Sequence, residues 1–214
     1  MATTTAAETR PRWRGRIHRW AAIAFVPAFI VLIVLASDTA SRLAVTSHAI
    51  GVVGMLGVSA TYHSGRLSPA AWRVFKRLDH STILLAIAGT YTAITVLALD
   101  GAEQTRMLIV VGVATALGVT LRMLWLDAPY PVIALVYLVV GWSAVIDLPA
   151  YARGTSATEL TLVVAGGLLY TIGAVVYALH RPDLWPATFG YHELFHALVV
   201  AGATCHFAAV ALLL

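Results

Sequence analysis

Seven apolar runs, each about long enough to cross a membrane, dominate this sequence. A helix needs about 20 predominantly apolar residues to span the hydrocarbon core of a bilayer. The runs that meet this requirement are 18–37, 42–63, 78–99, 105–126, 130–148, 158–179 and 191–213. Charged residues make up 11% of the 214 residues, against about a quarter in a soluble domain. The sequence therefore predicts an all-α membrane protein, a single bundle of seven transmembrane helices.

Lysine and arginine residues are spread unevenly over the two sides of such a bundle. If the N-terminus is inside, the outer loops hold Arg42, Arg106 and Arg153, and the other basic residues fall in inner segments. Because basic loops stay in the cytoplasm, we expect a cytoplasmic N-terminus and an external C-terminus. The pI near 9.5 then reflects orientation in the cell (plasma) membrane, with lipids and not nucleic acid as partners. The polar residues 1–11 are predicted to be a disordered tail, and 12–214 the seven-helix domain.

Polar residues from three distant runs fall at one predicted depth, near the inner face. His63 ends the second run, Asp79 begins the third, and His192 and His196 begin the seventh. An ionisable residue within a span is costly and therefore a functional candidate. His192 and His196 are four residues apart, so both imidazoles project from one helical face. With His63 they would supply three nitrogens, the ligand set of a catalytic zinc ion with an open fourth position.

Two further residues are candidates for catalytic roles beside a Zn²⁺ ion. Asp79 could orient a ligand or hydrogen-bond a water at the open position. Ser59 lies four residues before His63, on the same helical face, so its hydroxyl could reach that water or a substrate carbonyl. Three alternatives stay open: the histidine pair could be a helix-end feature, Asp79 could pair with Arg77 or Lys76, and Ser59 could be a packing residue.

The remaining histidines and the single cysteine have simpler expected roles. His206 lies about 15 Å beyond His196 along its helix, and His48 about 22 Å from His63, so neither can share the inner ion. Both are predicted to be structural residues of the outer half. Cys205 cannot form an intramolecular disulfide and is expected to act as a small buried hydrophobe. Three more histidines are expected at the inner interface: His18, His80 and His180.

Residues 192–196, His-Glu-Leu-Phe-His, also match the zinc signature of many metalloproteases, in which the glutamate is the general base. Glu193 lies about 100° around the helix from His192, so we expect it to point at solvent or the headgroup region. In intramembrane zinc proteases a Leu-Asp element follows the His-Glu motif, whereas Leu78-Asp79 precedes it here. The protease interpretation is therefore disfavoured.

Several stretches together resemble the hemolysin III family, the bacterial branch of the progestin and adipoQ receptor superfamily that includes adiponectin receptors. They are SATYHS at 59–64, RLDHSTILLAIAGTYT at 77–92, YLVVGW at 137–142, GGLLYTIGAVVYAL at 166–179 and RPDLWPATFGYHELFHALVVAGATCHF at 181–207. The resemblance covers roughly residues 12 to 214. One departure is Ala93, which stands where many relatives have proline.

The resemblance implies a seven-helix fold with a cytoplasmic N-terminus. It implies zinc ligands at His63, His192 and His196, with Asp79 holding the metal-bound water and Ser59 beside it. It also implies hydrolysis of lipid amides such as ceramide-like substrates, with an acyl chain held inside the bundle. Two alternatives are a membrane-homeostasis sensor with a structural zinc ion and a pore.

Overall fold

The computed structural model describes residues 11–63 and 65–214. Within them the chain forms eight α-helices and one 3₁₀ helix, and no β-sheet. Their bounds are α1 Arg16–Leu35, α2 Thr39–Tyr62, α3 Pro69–Ala98, α4 Gly101–Leu124, α5 Tyr130–Gly141, the 3₁₀ helix Ser143–Asp147, α6 Leu148–Gly154, α7 Ala157–Leu179 and α8 Tyr191–Leu213. The predicted tail 1–11 lies, apart from Pro11, outside the described residues.

The seven predicted spans are confirmed. Six of them are single helices, and the fifth is the segment Tyr130–Gly154, which contains α5, the 3₁₀ helix and α6. Large apolar side chains such as Val34 and Leu124 are exposed on the outside of the bundle, as expected where hydrocarbon replaces water as the solvent. The orientation of the termini stays a prediction.

Helix α3 begins nine residues earlier than the predicted start of its span at residue 78. Ser68 caps it, because the Ser68 hydroxyl accepts a hydrogen bond from the Ala71 N–H at 3.3 Å, and Pro69 occupies the first helical position, which favours helix initiation. The added turns carry basic residues. An apolar-run criterion locates the membrane-crossing part of a helix and therefore misses such an extension.

The fifth span is interrupted where α5 ends at Gly141. The Tyr91 hydroxyl of α3 donates a hydrogen bond to the Gly141 carbonyl at 2.7 Å and accepts one from the Ala144 N–H at 2.8 Å. These bonds satisfy backbone groups that the break frees inside the span, as a low-dielectric surrounding requires. The interruption is thus stabilised by a side chain that is distant in sequence.

Small residues let α2 and α3 approach closely, and these two helices pack against each other along most of their length. A Cβ atom at Gly51 would lie 2.9 Å from the Ala86 Cα, and one at Gly89 would lie 2.4 Å from the Ser47 carbonyl oxygen. Such contacts are typical of membrane helices. They carry His63 and Asp79 to neighbouring positions at the end of the bundle where α1, α3, α5 and α8 begin, here called the N-terminal end.

Candidate metal centre

Three histidine side chains meet at the N-terminal end of the bundle. His63 is the residue at which α2 ends, and His192 and His196 lie on the first two turns of α8. One ring nitrogen of each lies within 4.8 Å of the others. His63 and His196 are buried, and His192 is partly exposed. The arrangement that helix spacing predicted for His192 and His196 is therefore present, with His63 beside them.

The separation of the His63 and His192 nitrogens suits a tetrahedral zinc ion. The His63 and His192 Nε2 atoms are 3.2 Å apart. Two nitrogens that each bind zinc at 2.0–2.1 Å in a tetrahedral arrangement lie about 3.4 Å from each other. The nitrogens of all three side chains lie within 4.8 Å of one another, so the three could hold a metal ion, and a site of three imidazoles leaves one coordination position open.

Asp79 and Ser59 lie beside the three histidines. The Asp79 Oδ2 atom is 3.7 Å from the His63 Nε2 atom, and the Ser59 hydroxyl is within hydrogen-bonding reach of the Asp79 carboxylate. Both residues are buried. The alternative ion pair of Asp79 with Lys76 is absent among the described residues, since Lys76 pairs with Asp127, which lies 2.8 Å away.

His18, which the sequence placed at the interface, belongs to this cluster. It is 3% exposed, and its ring stacks on that of His196 with the centroids 3.8 Å apart and the planes 10° from parallel. Neither His18 ring nitrogen has a hydrogen-bond partner within the described part of the chain. His18 therefore restricts the His196 ring to one orientation. His18 lies far from the other histidines in the sequence, so no helical spacing of the kind that relates His192 to His196 could assign it to the cluster.

The residues before α1, here called the N-terminal strap (residues 11–15), close over the cluster. The Arg12 and Trp13 N–H groups each donate to a carbonyl of the 181–190 loop, at 3.3 Å. Gly15 has a left-handed φ of 75°, and a Cβ atom there would lie 3.0 Å from the His63 Cβ. The strap therefore needs glycine at this position, both for its backbone conformation and for its approach to His63.

The prediction that Glu193 points at solvent or headgroups is wrong. Glu193 is fully buried, and its Oε1 atom forms an ion pair with Arg14 of the strap. Its Oε2 atom accepts a hydrogen bond from the Gly190 N–H at 3.0 Å, which caps the start of α8. The strap covers the face of α8 that a free helix would expose, so Glu193 serves as an anchor for α1.

Buried polar contacts also lie around the candidate metal centre, at the N-terminal end of the bundle. Arg122, 1% exposed, donates to the Trp125 carbonyl at 2.9 Å and to the His80 Nδ1 atom. At the rim, the hydrogen bond from Lys76 holds the pKa of the Asp127 carboxyl below its usual range. His80 is therefore tied into the bundle, although the sequence predicted an interfacial residue.

A cavity of about 580 Å³ extends from the candidate metal centre into the bundle. At one end it is lined by the three histidines, Asp79 and Ser59, and its walls include Ile83, Ile87, Phe195 and Val199. Such a volume, apolar with few polar groups, is typical of a small-molecule site. The arrangement can hold a ligand with an apolar chain and a polar group near the histidines.

His48 and His206 lie away from the three histidines, as predicted. His48 is fully buried and contacts the Thr90 hydroxyl at 3.1 Å, and the His206 Nε2 atom contacts the Val163 carbonyl at 3.0 Å. Cys205, expected to be buried, is partly exposed on α8 and is a free thiol.

Comparison with known proteins agrees with these features. The family model Haemolysin-III related matches residues 7–207. Hemolysin-3 of Bacillus cereus is 28% identical over 192 residues, which cover 89% of this chain and 85% of that protein. The Adiponectin receptor protein of Drosophila melanogaster is 28% identical over 211 residues, which cover 89% of this chain and 47% of that protein. The chain is thus a multi-pass, adiponectin receptor-like membrane protein that belongs to the Haemolysin-III related family.

Proposed function

We propose that this protein is a zinc-dependent hydrolase of lipid amides, of the ceramide type, in the plasma membrane. The observation that carries the proposal is the position of three histidines, a carboxylate and a hydroxyl at one end of an apolar cavity. The excess of arginine and lysine at this end of the bundle supports a site at the inner leaflet. Membrane lipids would supply the substrate.

Zinc held by His63, His192 and His196 would supply Lewis acidity and lower the pKa of a water molecule to about 7. The described residues fit that ion in nitrogen separation, in neutral donor type and in burial. His18 stacks on His196 and fixes one ligand ring, and Gly15 of the strap packs against His63. These contacts preorganise the nitrogens before any ligand binds.

Asp79 is the group best placed to move a proton. Its carboxylate lies beside His63 and within reach of the Ser59 hydroxyl. It can accept the proton of an attacking water and return it to the amine that leaves, as a general base and then a general acid. Ser59 can donate its hydroxyl hydrogen to a carbonyl oxygen whose negative charge grows during attack. The cavity beyond them would hold the acyl chain away from water.

Metal analysis and turnover, measured on the same purified protein, test this proposal. Wild type should hold about one zinc ion per chain and release fatty acid from a ceramide. His63→Ala and His192→Ala should lose both, and Asp79→Asn should keep the metal but lose about 100-fold or more in rate. His180→Ala, a histidine outside the cavity, is the matched control. Unchanged zinc in both ligand variants would contradict the site, and normal turnover by His63→Ala would contradict the enzyme.

A receptor-type sensor with a structural zinc ion is the second candidate. It is favoured by the similarity to the Drosophila protein named as an adiponectin receptor. This candidate predicts one zinc per chain, binding of a fatty acid in the cavity and no release of fatty acid from any lipid amide. A pore, the third interpretation, predicts conductance in planar bilayers that persists after zinc is removed.

A further inference from the structure

His80 presents a hydrogen-bond donor to the cavity beside the candidate metal centre. The Arg122 guanidinium contacts its Nδ1 atom. A guanidinium can only donate, so Nδ1 accepts, the ring is neutral, and its hydrogen is on the Nε2 atom. Nε2 makes no hydrogen bond to a described residue. The described unpartnered nitrogens that are sealed from solvent, such as both of His18, do not include it, and His80 lines the cavity, so a ligand there can reach Nε2.

Contacts from three helices fix the position of this donor. The Tyr137 hydroxyl of α5 donates to the His80 carbonyl of α3 at 2.9 Å. Arg122 of α4 holds the ring at Nδ1 and is itself fixed by the Trp125 and Leu126 carbonyls, at 2.9 and 3.2 Å. The His80 ring is therefore oriented before any ligand binds, as a binding group should be.

The charge of Arg122 has no counter-charge in the described part of the chain. Arg122 is 1% exposed, and its partners are backbone carbonyls and a neutral imidazole. The described carboxylates that line the cavity, Asp79 and Asp127, contact His63 and Lys76 instead. A buried charge without a counter-charge is strongly destabilising, and the carbonyls at the end of α4 offset only part of that cost. A ligand that brings a negative charge to His80 would supply the rest.

The cavity-facing side of α3 indicates which part of a lipid amide would meet His80. Along α3 the lining residues include, in order, Trp72, Lys76, His80, Ile83 and Ile87. Their spacing of three or four residues places them on one helical face. This face is polar towards the start of α3 and apolar deeper in the bundle, and it changes next to Asp79. With the acyl chain against the isoleucines, the amine part of the amide lies towards His80 and Lys76.

We propose that His80, backed by Arg122, is a subsite for a negatively charged oxygen on the amine part of the lipid amide, a carboxylate or a phosphate ester. The Nε2–H group donates to that oxygen, and the Arg122 charge balances it across the ring. A neutral hydroxyl would accept the same hydrogen bond but leave Arg122 uncompensated, and a metal ion would need a ring nitrogen without a hydrogen.

The proposal rests on the proposed function, because it takes a lipid amide as the occupant of the cavity. It narrows the substrate class to amides with an anionic amine part. Neutral amides such as ceramides stay substrates, but poorer ones.

Three amides of one fatty acid test the proposal. They are the neutral ethanolamide, the glycine amide, which carries a carboxylate, and the phosphate ester of the ethanolamide. Release of fatty acid, expressed as kcat/KM, is measured on purified, zinc-loaded protein in nanodiscs of phosphatidylcholine, which has no net charge. The anionic amides should be preferred over the ethanolamide by about 10- to 100-fold, as for a hydrogen bond to a charged group. A preference for one of the two anions assigns the subsite to carboxylate or to phosphate.

Variants of His80 separate binding from a structural role. In His80→Phe the preference should largely disappear, because the donor is lost. His80→Gln should keep part of it, since the amide group can accept from Arg122 and donate to the ligand. His180→Phe, at a histidine outside the cavity, is the control and should keep all of it. A purely structural role of His80 would lower the rates for all three amides together and leave their ratio unchanged.

Equal rates for the neutral and anionic amides in wild type would overturn the subsite and leave the proposed hydrolase standing. A preference that persists unchanged in a folded His80→Phe protein would also overturn it. If no amide is hydrolysed, the proposed function is contradicted, and displacement of a fluorescent fatty acid decides the subsite: the glycine amide should then bind more tightly than the ethanolamide in wild type but not in His80→Phe. The wild-type ratio decides the question even if the His80 variants do not fold.

Discussion

Removing the charge of Arg14 should destabilise the protein more than removing the charge of its partner Glu193. The Glu193 side chain is 1% exposed, and that of Arg14 is 22% exposed. In Arg14→Met the Glu193 carboxylate is left buried without a cation, a change that costs about 3–5 kcal/mol in buried pairs. Because water reaches the Arg14 side of the pair, we expect the lower end of this range, about 3 kcal/mol.

Glu193→Gln should be milder. The glutamine oxygen can still accept the Gly190 N–H, and the Arg14 guanidinium can turn towards water. We expect about 1 kcal/mol for the weakened hydrogen bond. The double variant Arg14→Met/Glu193→Gln contains no buried charge, so its cost should be less than the sum of the single costs by about 1–2 kcal/mol.

The loss of far-ultraviolet circular dichroism from the helices on heating measures unfolding directly. The same measurement on metal-free protein distinguishes the contribution of the strap from that of the three histidines. By the scaling of soluble domains of this length, 3 kcal/mol lowers the midpoint by about 6–12 °C. Arg12→Met, an exposed arginine of the same strap, is the control and should shift little. Additive single costs, or an Arg14→Met midpoint equal to that of Arg12→Met, would refute the reasoning.

Two further substitutions test local features of the fold. Gly15→Ala should lower the free energy of unfolding by about 1–2 kcal/mol for the left-handed backbone alone, and should weaken zinc binding because the new methyl group displaces His63. Gly54→Ala, with open space around its Cβ, is the control and should be tolerated. Equal unfolding midpoints and equal zinc affinities of the two variants would contradict the role of the strap. The Asp38 carboxylate accepts from the Ala40 and Ser41 N–H groups at the start of α2, and the Ser41 hydroxyl holds the pKa of Asp38 below its usual range. The stabilising contribution of the Asp38 carboxylate is therefore present above about pH 4 and is lost as the pH falls through its lower folded pKa. The unfolding midpoint of wild type should fall below about pH 4, and in Asp38→Asn this fall should be smaller. The same pH profile in both proteins would contradict the role of the Asp38 cap.

The seven spans could be predicted because lipid penalises every unpaired backbone group and every charge. Runs of apolar residues, their polar breaks and the spacing of His192 and His196 are local properties of the sequence. The break at Gly141 was not predictable in this way, because its backbone groups are satisfied by Tyr91 from another helix. On α2, Gly51 packs against α3, whereas a Cβ atom at Gly54 or Gly57 would meet nothing within 4 Å, so a glycine in the sequence does not by itself locate a close helix contact.

The candidate metal centre could be predicted only in part from the sequence, for the same reason. Predicted depth within the membrane placed His63 and Asp79 level with the two histidines at the start of α8, since each lies at the end of a span on the same predicted side. His18 satisfies that depth criterion equally well, but a lone histidine in a basic segment is typical of an interface. What distinguishes His18 is the stacking of its ring on His196, a contact that depends on how α1 is rotated against α8.

Glu193 shows why helical spacing alone cannot assign the chemistry of the His-Glu-Leu-Phe-His segment. Periodicity correctly separates the Glu193 face of α8 from the histidine face, but it does not tell what covers that face. Arg14 covers it, and each carboxylate oxygen of Glu193 has a partner, Arg14 for one and the Gly190 N–H for the other. A general base in a protease needs a free oxygen directed at the water it activates. The same two contacts that anchor the strap therefore occupy the glutamate, and Asp79 is the carboxylate beside the three histidines that can accept a proton.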